Sequence, residues 1–320
     1  MNLNPLSAIL SVTYGGVIGA RNTFYDRRWL RSRSLKGPVI SVGNLSTGGS
    51  GKTPFVILLG ELLKARGIGF DVLSRGYGRR TRGVLLVDPG GLPQDFGDEP
   101  LLIARRLQVP VVVGEDRYEA GHYAESRFGP QIHLLDDGFQ HRGLARDFDI
   151  VLVTPEDGRD SLLPGGRLRE PLQSLQRADA VVLTSGATAE AFPLANKTVW
   201  RVRRSILPQS VPLRPVMFCG IARPQNFLLQ LRAAGIEPVA EASFRDHHAY
   251  TEKDVHDLLQ LQKQSEAGGF VTTEKDAVNL GGYLAALAPL AVVRVKMELA
   301  DADNAVDTML RVIEERRRRS

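Results

Sequence analysis

The sequence predicts an α/β fold: a P-loop NTPase-like parallel sheet covered by helices, followed by a second, smaller α/β domain. Three features carry that expectation. Short apolar runs alternate with amphipathic stretches over 39–184. The first of these runs opens directly into the glycine-rich NLSTGGSGKTP. A second alternating set begins beyond Pro208, Pro212 and Pro215. Apolar runs separated by helices argue for a parallel sheet with both faces covered, since each parallel neighbour needs a crossover of about a dozen residues.

Taken in order, strands are expected at 39–43 (VISVG), 70–74, 110–114, 132–136, 149–153 and 180–184, with helices at 53–66 and 115–126. TVWRV at 198–202 is a further strand, and the proline-marked stretch after it reads as a linker. The second set comprises VMFCG at 216–220, a helix near 225–234, PVAEASF at 238–244, a helix from Thr251, GGFVTT at 268–273 and LAVVRVKM at 290–297. A last helix from about Asp303 ends in four arginines at 316–319, a solvated terminus that the helix dipole favours. TEKD occurs at 251–254 and 273–276 and reads as coincidence. The expected organisation is an N-terminal segment over 1–36, a P-loop nucleotide-binding core over 37–205 and a smaller α/β domain over 206–320, whose last helix can pack back on the core.

With 43% apolar and 24% charged residues in 320, the composition is that of a folded globular chain, not a disordered one. The single cysteine, Cys219, excludes an internal disulfide and a multi-cysteine metal cage; within VMFC it reads as a small buried apolar residue. The formal charge of +5 is concentrated: Arg21, Arg27, Arg28, Arg31, Arg33 and Lys36 against Asp26 account for all of it. A globally basic face for nucleic acid is therefore not expected.

Residues 1–20 contain no Asp, Glu, Lys or Arg. The charge follows this apolar stretch, opposite to a secretory signal, and Asn, Pro, Ser, Thr and Gly interrupt it too often for a span. Leu6, Ile9, Leu10, Thr13 and Val17 fall at helical spacing, while Phe24, Tyr25 and Trp29 sit among the arginines. Aromatic rings beside cations suit a bilayer interface, so the expected partner is an anionic membrane surface.

In NLSTGGSGKTP, Gly48, Gly49 and Gly51 let backbone N–H groups, that of Ser50 included, turn toward phosphate oxygens. Lys52 can reach the outer phosphates, and the Thr53 hydroxyl can ligate Mg²⁺ at the start of a helix. Ser46 stands where the strict P-loop pattern has glycine. The metal side is supplied by IHLLDD: Asp136 and Asp137 end a strand, and adjacent carboxylates there are costly unless a cation neutralises them. Asn196-Lys197 continues as Thr-Val, so the guanine-reading N-K-x-D element is missing. Nothing in the residues selects adenine.

GDEP puts Asp98 and Glu99 at a helix start, equally a cap or a catalytic pair. Arg75, Arg79 and Arg80 with Tyr77, then Arg117, Arg167 and Arg169, follow apolar runs. Guanidiniums on the P-loop edge of the sheet imply an acceptor carrying its own phosphate. FRDHHAY adds Asp246, His247 and His248 from the second domain. Three functions fit these residues: a membrane-surface lipid kinase, a soluble P-loop NTPase acting as a metal or cofactor chaperone, and a nucleotide-gated membrane-binding module. One cysteine argues against a chaperone's metal relay.

GNLSTGGSGKTP, SRGYGRR, GDEP, GEDR, LLDDGFQH, GRLREP, FCGIARPQNF, FRDHHAY and TEKDAV, in this order, resemble the lipid A 4′-kinase (tetraacyldisaccharide 4′-kinase) family from about residue 5 to 280. The resemblance implies phosphoryl transfer from ATP, with Mg²⁺, to the 4′-hydroxyl of a tetraacyl glucosamine disaccharide 1-phosphate, at the cytoplasmic face of the inner membrane. It implies that Lys52 and Thr53 bind phosphate and metal, and that Asp98 is the base, supported by His247. Asp136 and Asp137, with Glu99, would serve the metal. Tyr77, Arg117, His141, Arg169 and Glu170 would line the acceptor headgroup. Ser46 matches the family's P-loop. Asn279 replaces a usual lysine and Ala222-Arg223-Pro224 a commoner Gly-Asn-Pro; both are expected to lie outside the chemistry.

Overall fold

The computed structural model describes residues 5–129 and 131–319. Met1 and Leu3 of the apolar N-terminal stretch, and the side chain of Leu6, lie outside the described residues. A helix α1 (Pro5–Asp26) precedes β1 (Val39–Asn44), α2 (Lys52–Ala65), β2 (Phe70–Ser74), β3 (Leu85–Leu86), α3 (Pro93–Phe96), α4 (Asp98–Leu107), β4 (Val111–Val113), α5 (Arg117–Phe128), β5 (Ile132–Asp136), β6 (Phe148–Val153), β7 (Ala180–Leu183) and β8 (Thr198–Leu207). The C-terminal half adds β9 (Pro215–Cys219), α6 (Pro224–Ala233), β10 (Ala240–Ser243), α7 (Glu252–Gln264), β11 (Gly269–Thr273), α8 (Glu274–Leu280), β12 (Leu290–Leu299) and α9 (Ala302–Arg319).

Every residue of β1, β5 and β6 is buried, as expected for central parallel strands covered on both faces. On one face Phe55, Leu59 and Leu63 of α2 meet Leu101 and Leu107 of α4 and Met309 of α9; each such side chain contributes roughly 1.5–3 kcal/mol on burial. On the other face α5 packs Ala120 and Ala124 against Leu73, Val112 and Leu135. Phe218, Phe270 and Leu258 centre a separate core in the C-terminal half.

The sheet order is β10-β9-β11-β12-β8-β7-β6-β1-β5-β2-β4-β3. β8 is parallel to β7, and β12 is parallel to β11, yet β8 and β12 are antiparallel to each other. The first residues of β8 pair with β7 and its later ones with the second half of β12, from Val202↔Leu299 to Leu207↔Arg294. This ribbon rises from the C-terminal edge of one half-sheet and descends from the C-terminal edge of the other. The two edges therefore face each other, and in α/β sheets that edge is where ligands bind.

Three expectations change. The strand expected to end at residue 202 runs to Leu207, because Trp200, Val202, Arg204 and Ile206 keep the two-residue alternation that a strand needs. The arginines near the C-terminus are not simply solvated: Arg316 pairs with Asp179, and Arg317 with Asp147 while also donating to the carbonyls of Lys36 and Gly37. The two TEKD segments are two helix starts. Thr251 and Asp254 form a reciprocal capping box, and Thr273 accepts from the N–H of Asp276. Cys219 is buried, which pushes its thiol up to about 12.

Candidate active site

The P-loop lies between the end of β1 and the start of α2. Gly51 caps the helix at φ 85, a left-handed conformation that glycine adopts without strain. A Cβ there would sit 2.6 Å from Cε of Met297, and one on Gly49 would sit 3.0 Å from Cδ of Arg223. The loop is thus pressed under residues of the C-terminal half. No side chain caps α2, so its first N–H groups face the cleft with the partial positive charge of the helix end. Lys52 Nζ donates to Oδ1 of Asn44 at 3.0 Å and lies 3.5 Å from Oδ1 of Asp137.

Asp136 and Asp137 have opposite surroundings. Asp136 is buried; Ser74 donates to its Oδ2 at 3.2 Å, and its Oδ1 has no partner. Burial, then the charges of Glu99 and Asp137, raise its carboxyl to about 7. Burial also opposes ionisation of Asp137, but Lys52 and Arg169, the latter at 2.7 Å, hold it well below the carboxylate range. Among the described residues, no three His, Cys, Asp or Glu side chains form a metal cage. Mg²⁺ is usually held by one or two carboxylates together with substrate phosphates. The orphaned Oδ1 of Asp136, the buried unpartnered Oγ of Ser50 and the Thr53 hydroxyl on the first turn of α2 supply the oxygen donors that such an ion takes.

Asp98 and Glu99 form the first turn of α4, with Gly97 as its cap. Across the cleft, Nδ1 of His247 lies 2.9 Å from Oδ2 of Asp98. Lys275 Nζ donates to Nε2 of His247 at 3.2 Å and to Asp246 at 2.9 Å, and stands 3.8 Å from both Asp98 and Glu99. An ammonium can only donate, so this contact places the imidazole proton on Nδ1, where it is donated to Asp98. Burial works against an ionised Asp98, but His247, Lys275 and Asn279 outweigh it and hold the carboxyl below its ordinary value. Burial lowers His247, Asp98 more than compensates, and the imidazole ends above its ordinary value.

These groups bound a cleft of about 960 Å³. The acceptor candidates Tyr77, Arg117, His141 and Arg169 line it, together with Arg75 and Glu99. Tyr77 is 64% exposed, and its ring centroid is 5.3 Å from that of His247. Burial and Arg117 depress His141 to about 4, so it is neutral at pH 7. Asp98 sits just behind His247 and does not line the cleft itself. Glu170 does not reach the cleft: it is fully buried, paired with Arg177 at 2.9 Å and accepting from Asn22 of α1 at 2.7 Å. Arg79 and Arg167 are also turned away, to Glu115 and Asp160.

Two expectations are overturned by these distances. Asn279 donates to Oδ2 of Asp98 at 3.1 Å, and Ala222 and Arg223 stand over Gly48 and Gly49. Both departures from the family pattern therefore touch the site, because α8 and the turn after β9 both start from the C-terminal edge of the same half-sheet. Sequence reasoning did not single out Asn44, Lys275, Arg21 or Arg204. Lys275 and Asn44 carried a signal, their places inside TEKDAV and GNLSTGGSGKTP, whereas Arg21 reads only as part of the basic N-terminal segment.

The family model for tetraacyldisaccharide-1-P 4′-kinase matches residues 3–314. The tetraacyldisaccharide 4′-kinase of Koribacter versatilis is 52% identical over 98% of this chain and 99% of its own. That of Aquifex aeolicus is 39% identical over 85% and 89%. The crystal structure of LpxK from Aquifex aeolicus in complex with ATP superposes with a TM-score of 0.79 at 35% identity, covering 96% of this chain and 98% of that one. With matches of this extent, the chain belongs to the tetraacyldisaccharide-1-P 4′-kinase family.

Proposed function

We propose that this chain transfers the γ-phosphoryl group of ATP to the 4′-hydroxyl of a tetraacyl glucosamine disaccharide 1-phosphate, the lipid A precursor. The observation that carries this reading is the Asp98–His247 pair, contributed by opposite halves of the molecule, with His247 lining the same cleft as the P-loop and Asp98 directly behind it. A chaperone or a nucleotide-gated binding module has no use for it.

Gly48, Gly49, Ser50 and Gly51 offer N–H groups to the phosphates, and Lys52 leaves Asn44 to meet the β- and γ-oxygens. Thr53 and Asp136, with Glu99 and Asp137 nearby, would hold Mg²⁺, which would supply neutralisation of the phosphate charge. The acceptor oxygen forms a bond to Pγ as the bond to the ADP oxygen breaks, and the hydroxyl proton passes to Nε2 of His247, released by Lys275, as the Nδ1 proton moves to Asp98. Asp98 is the base, kept ionised by Lys275 and Asn279, and His247 is the cleft-facing member. Arg117 and Arg169 neutralise acceptor charge, His141 donates or accepts as a neutral imidazole, and Tyr77 covers the reacting hydroxyl. Glu170 acts indirectly, by anchoring α1 and Arg177.

The core over 37–205 and the smaller domain over 206–320 meet in the β8–β12 ribbon. Closing about it excludes water from the phosphoryl group. No helix among the described residues is long and apolar enough to cross a membrane. One face of α1 is pinned to the protein through Ser11, Tyr14 and Asn22, while Ile9, Leu10, Val12, Val17 and Phe24 of the other are exposed. Beside them Trp29, Arg27, Arg28 and Arg31 face solvent, so α1 lies in an anionic bilayer surface as an interfacial helix, on the cytoplasmic side where ATP is found.

The test is transfer of radiolabel from γ-labelled ATP to the tetraacyl disaccharide 1-phosphate in detergent. Labelled product is expected; intact ATP binding without transfer would sink the assignment.

A further inference from the structure

The Arg204 side chain makes no hydrogen bond or ion pair with any described residue, and its Nε is buried without a partner. It lies in the middle of the β8–β12 ribbon, opposite Met297 in the ladder, and its side chain lines the cleft. Burial, and then the charge of Arg223, disfavour its protonation. Among the described residues Arg223 has only the half-exposed Glu156 as an ionic partner, at 2.9 Å, and its Nη2 is buried and unpaired. Two neighbouring guanidiniums thus have one carboxylate between them, bound by Arg223 alone, beside a helix N-terminus that is already positive. Such an excess of buried positive charge is costly until an anion enters.

Resting on the kinase reading above, we propose that Arg204, with Arg223 beside it, is a nucleotide-binding residue that grips the phosphate chain of ATP from the ribbon side of the cleft. The position favours the nucleotide over the acceptor's phosphate. Arg223 packs over Gly49, and Met297, the ladder partner of Arg204, packs over Gly51. The acceptor-side Arg75, Arg117 and His141 instead follow β2, β4 and β5, and β7, β6 and β1 lie between those strands and β8. Arg204 is on the ribbon that joins the two halves and Arg223 follows β9 of the C-terminal half, so ATP is gripped on the side of the cleft opposite the acceptor as well as by the phosphate loop.

Arg204→Met keeps the stem and removes the charge. Titration calorimetry of the full chain with ATP and with ADP should show affinity about ten- to a hundredfold weaker for both, with Arg204→Lys intermediate and the acceptor KM unchanged. Without nucleotide the melting temperature of Arg204→Met should not fall, because the repulsion with Arg223 is relieved; the rise that ATP induces should shrink. Unaltered ATP and ADP affinity in Arg204→Met would overturn the proposal, and a raised acceptor KM alongside it would move Arg204 to the acceptor. Wild-type protein is titrated and assayed in parallel: its failure to transfer phosphate while binding ATP would count against the kinase reading and leave the Arg204 result standing.

Discussion

Nδ1 of His247 and Oδ2 of Asp98 are 2.9 Å apart, although 149 positions separate them in the chain and they belong to opposite halves of the molecule. The pair is local to neither half. Asp98 is placed by the first turn of α4, His247 by the turn after β10, and the ribbon between the half-sheets brings the two together. Lys275 and Asn279 close the same group of charges from α8.

Asp98→Asn should lower single-turnover phosphate transfer by about 10²–10⁴-fold, the usual contribution of a general base. Affinity for ATP should be unchanged, since the side-chain partners of Asp98 are His247, Lys275 and Asn279 and not residues of the phosphate loop. Transfer within a few-fold of wild type would remove Asp98 from that role.

Asn279→Lys places a second ammonium against Oδ2 of Asp98. A cation favours the ionised carboxylate, so the acidic limb of the pH profile of kcat/KM should move to lower pH, and the base should weaken at neutral pH. A limb moving to higher pH would show that a group other than Asp98 titrates there.

Burial, with the charges of Glu99 and Asp137, pushes the Asp136 carboxyl up to about 7 in the folded protein, above its ordinary value near 4. The folded state therefore binds this proton more tightly than the unfolded chain does, and that contribution to stability is lost as pH rises toward and through 7. Melting temperatures in EDTA should fall between pH 5.5 and 8 for wild type more steeply than for Asp136→Asn. Mg²⁺ with ATP should flatten the wild-type slope by taking the place of the proton. Equal slopes for the two proteins would contradict the raised value.

Ile9→Glu combined with Val12→Glu charges the outer face of α1 and leaves Ser11, Tyr14 and Asn22 in place. Co-sedimentation with vesicles containing anionic lipid should drop several-fold, with ATP affinity unaltered. This is a better probe than deleting residues 1–36, because Asn22 satisfies the buried Glu170 and Arg33 pairs with Asp116 and Glu119 of the core. Unchanged sedimentation would end the interfacial role of α1.

Local pattern made much of this molecule legible. The run VISVG before NLSTGGSGKTP specifies strand, phosphate loop and helix because each depends on neighbours in sequence: apolar period, glycine φ and the dipole of the following helix. The same holds for Asp136 and Asp137 at the end of IHLLDD and for the concentration of charge over 21–36. What the residues could not show is direction. Glu170 reads as a site residue from its motif, yet it points beneath α1. Arg317 reads as solvated, yet it binds Asp147.

The sequence by itself determined the α/β class, the phosphate loop, the paired acids and the apolar, then basic, N-terminal segment, since all of these follow from residues within a turn or a strand of each other. Only the tertiary structure decided that β8 and β12 join as an antiparallel ribbon and turn two C-terminal edges toward one cleft. That pairing depends on matched registers between strands roughly a hundred residues apart, which no short window records. It brings His247 to Asp98, sets Asn279 against the proposed base, and leaves Arg204, in the cleft that the phosphate loop lines, without a counter-ion among the described residues.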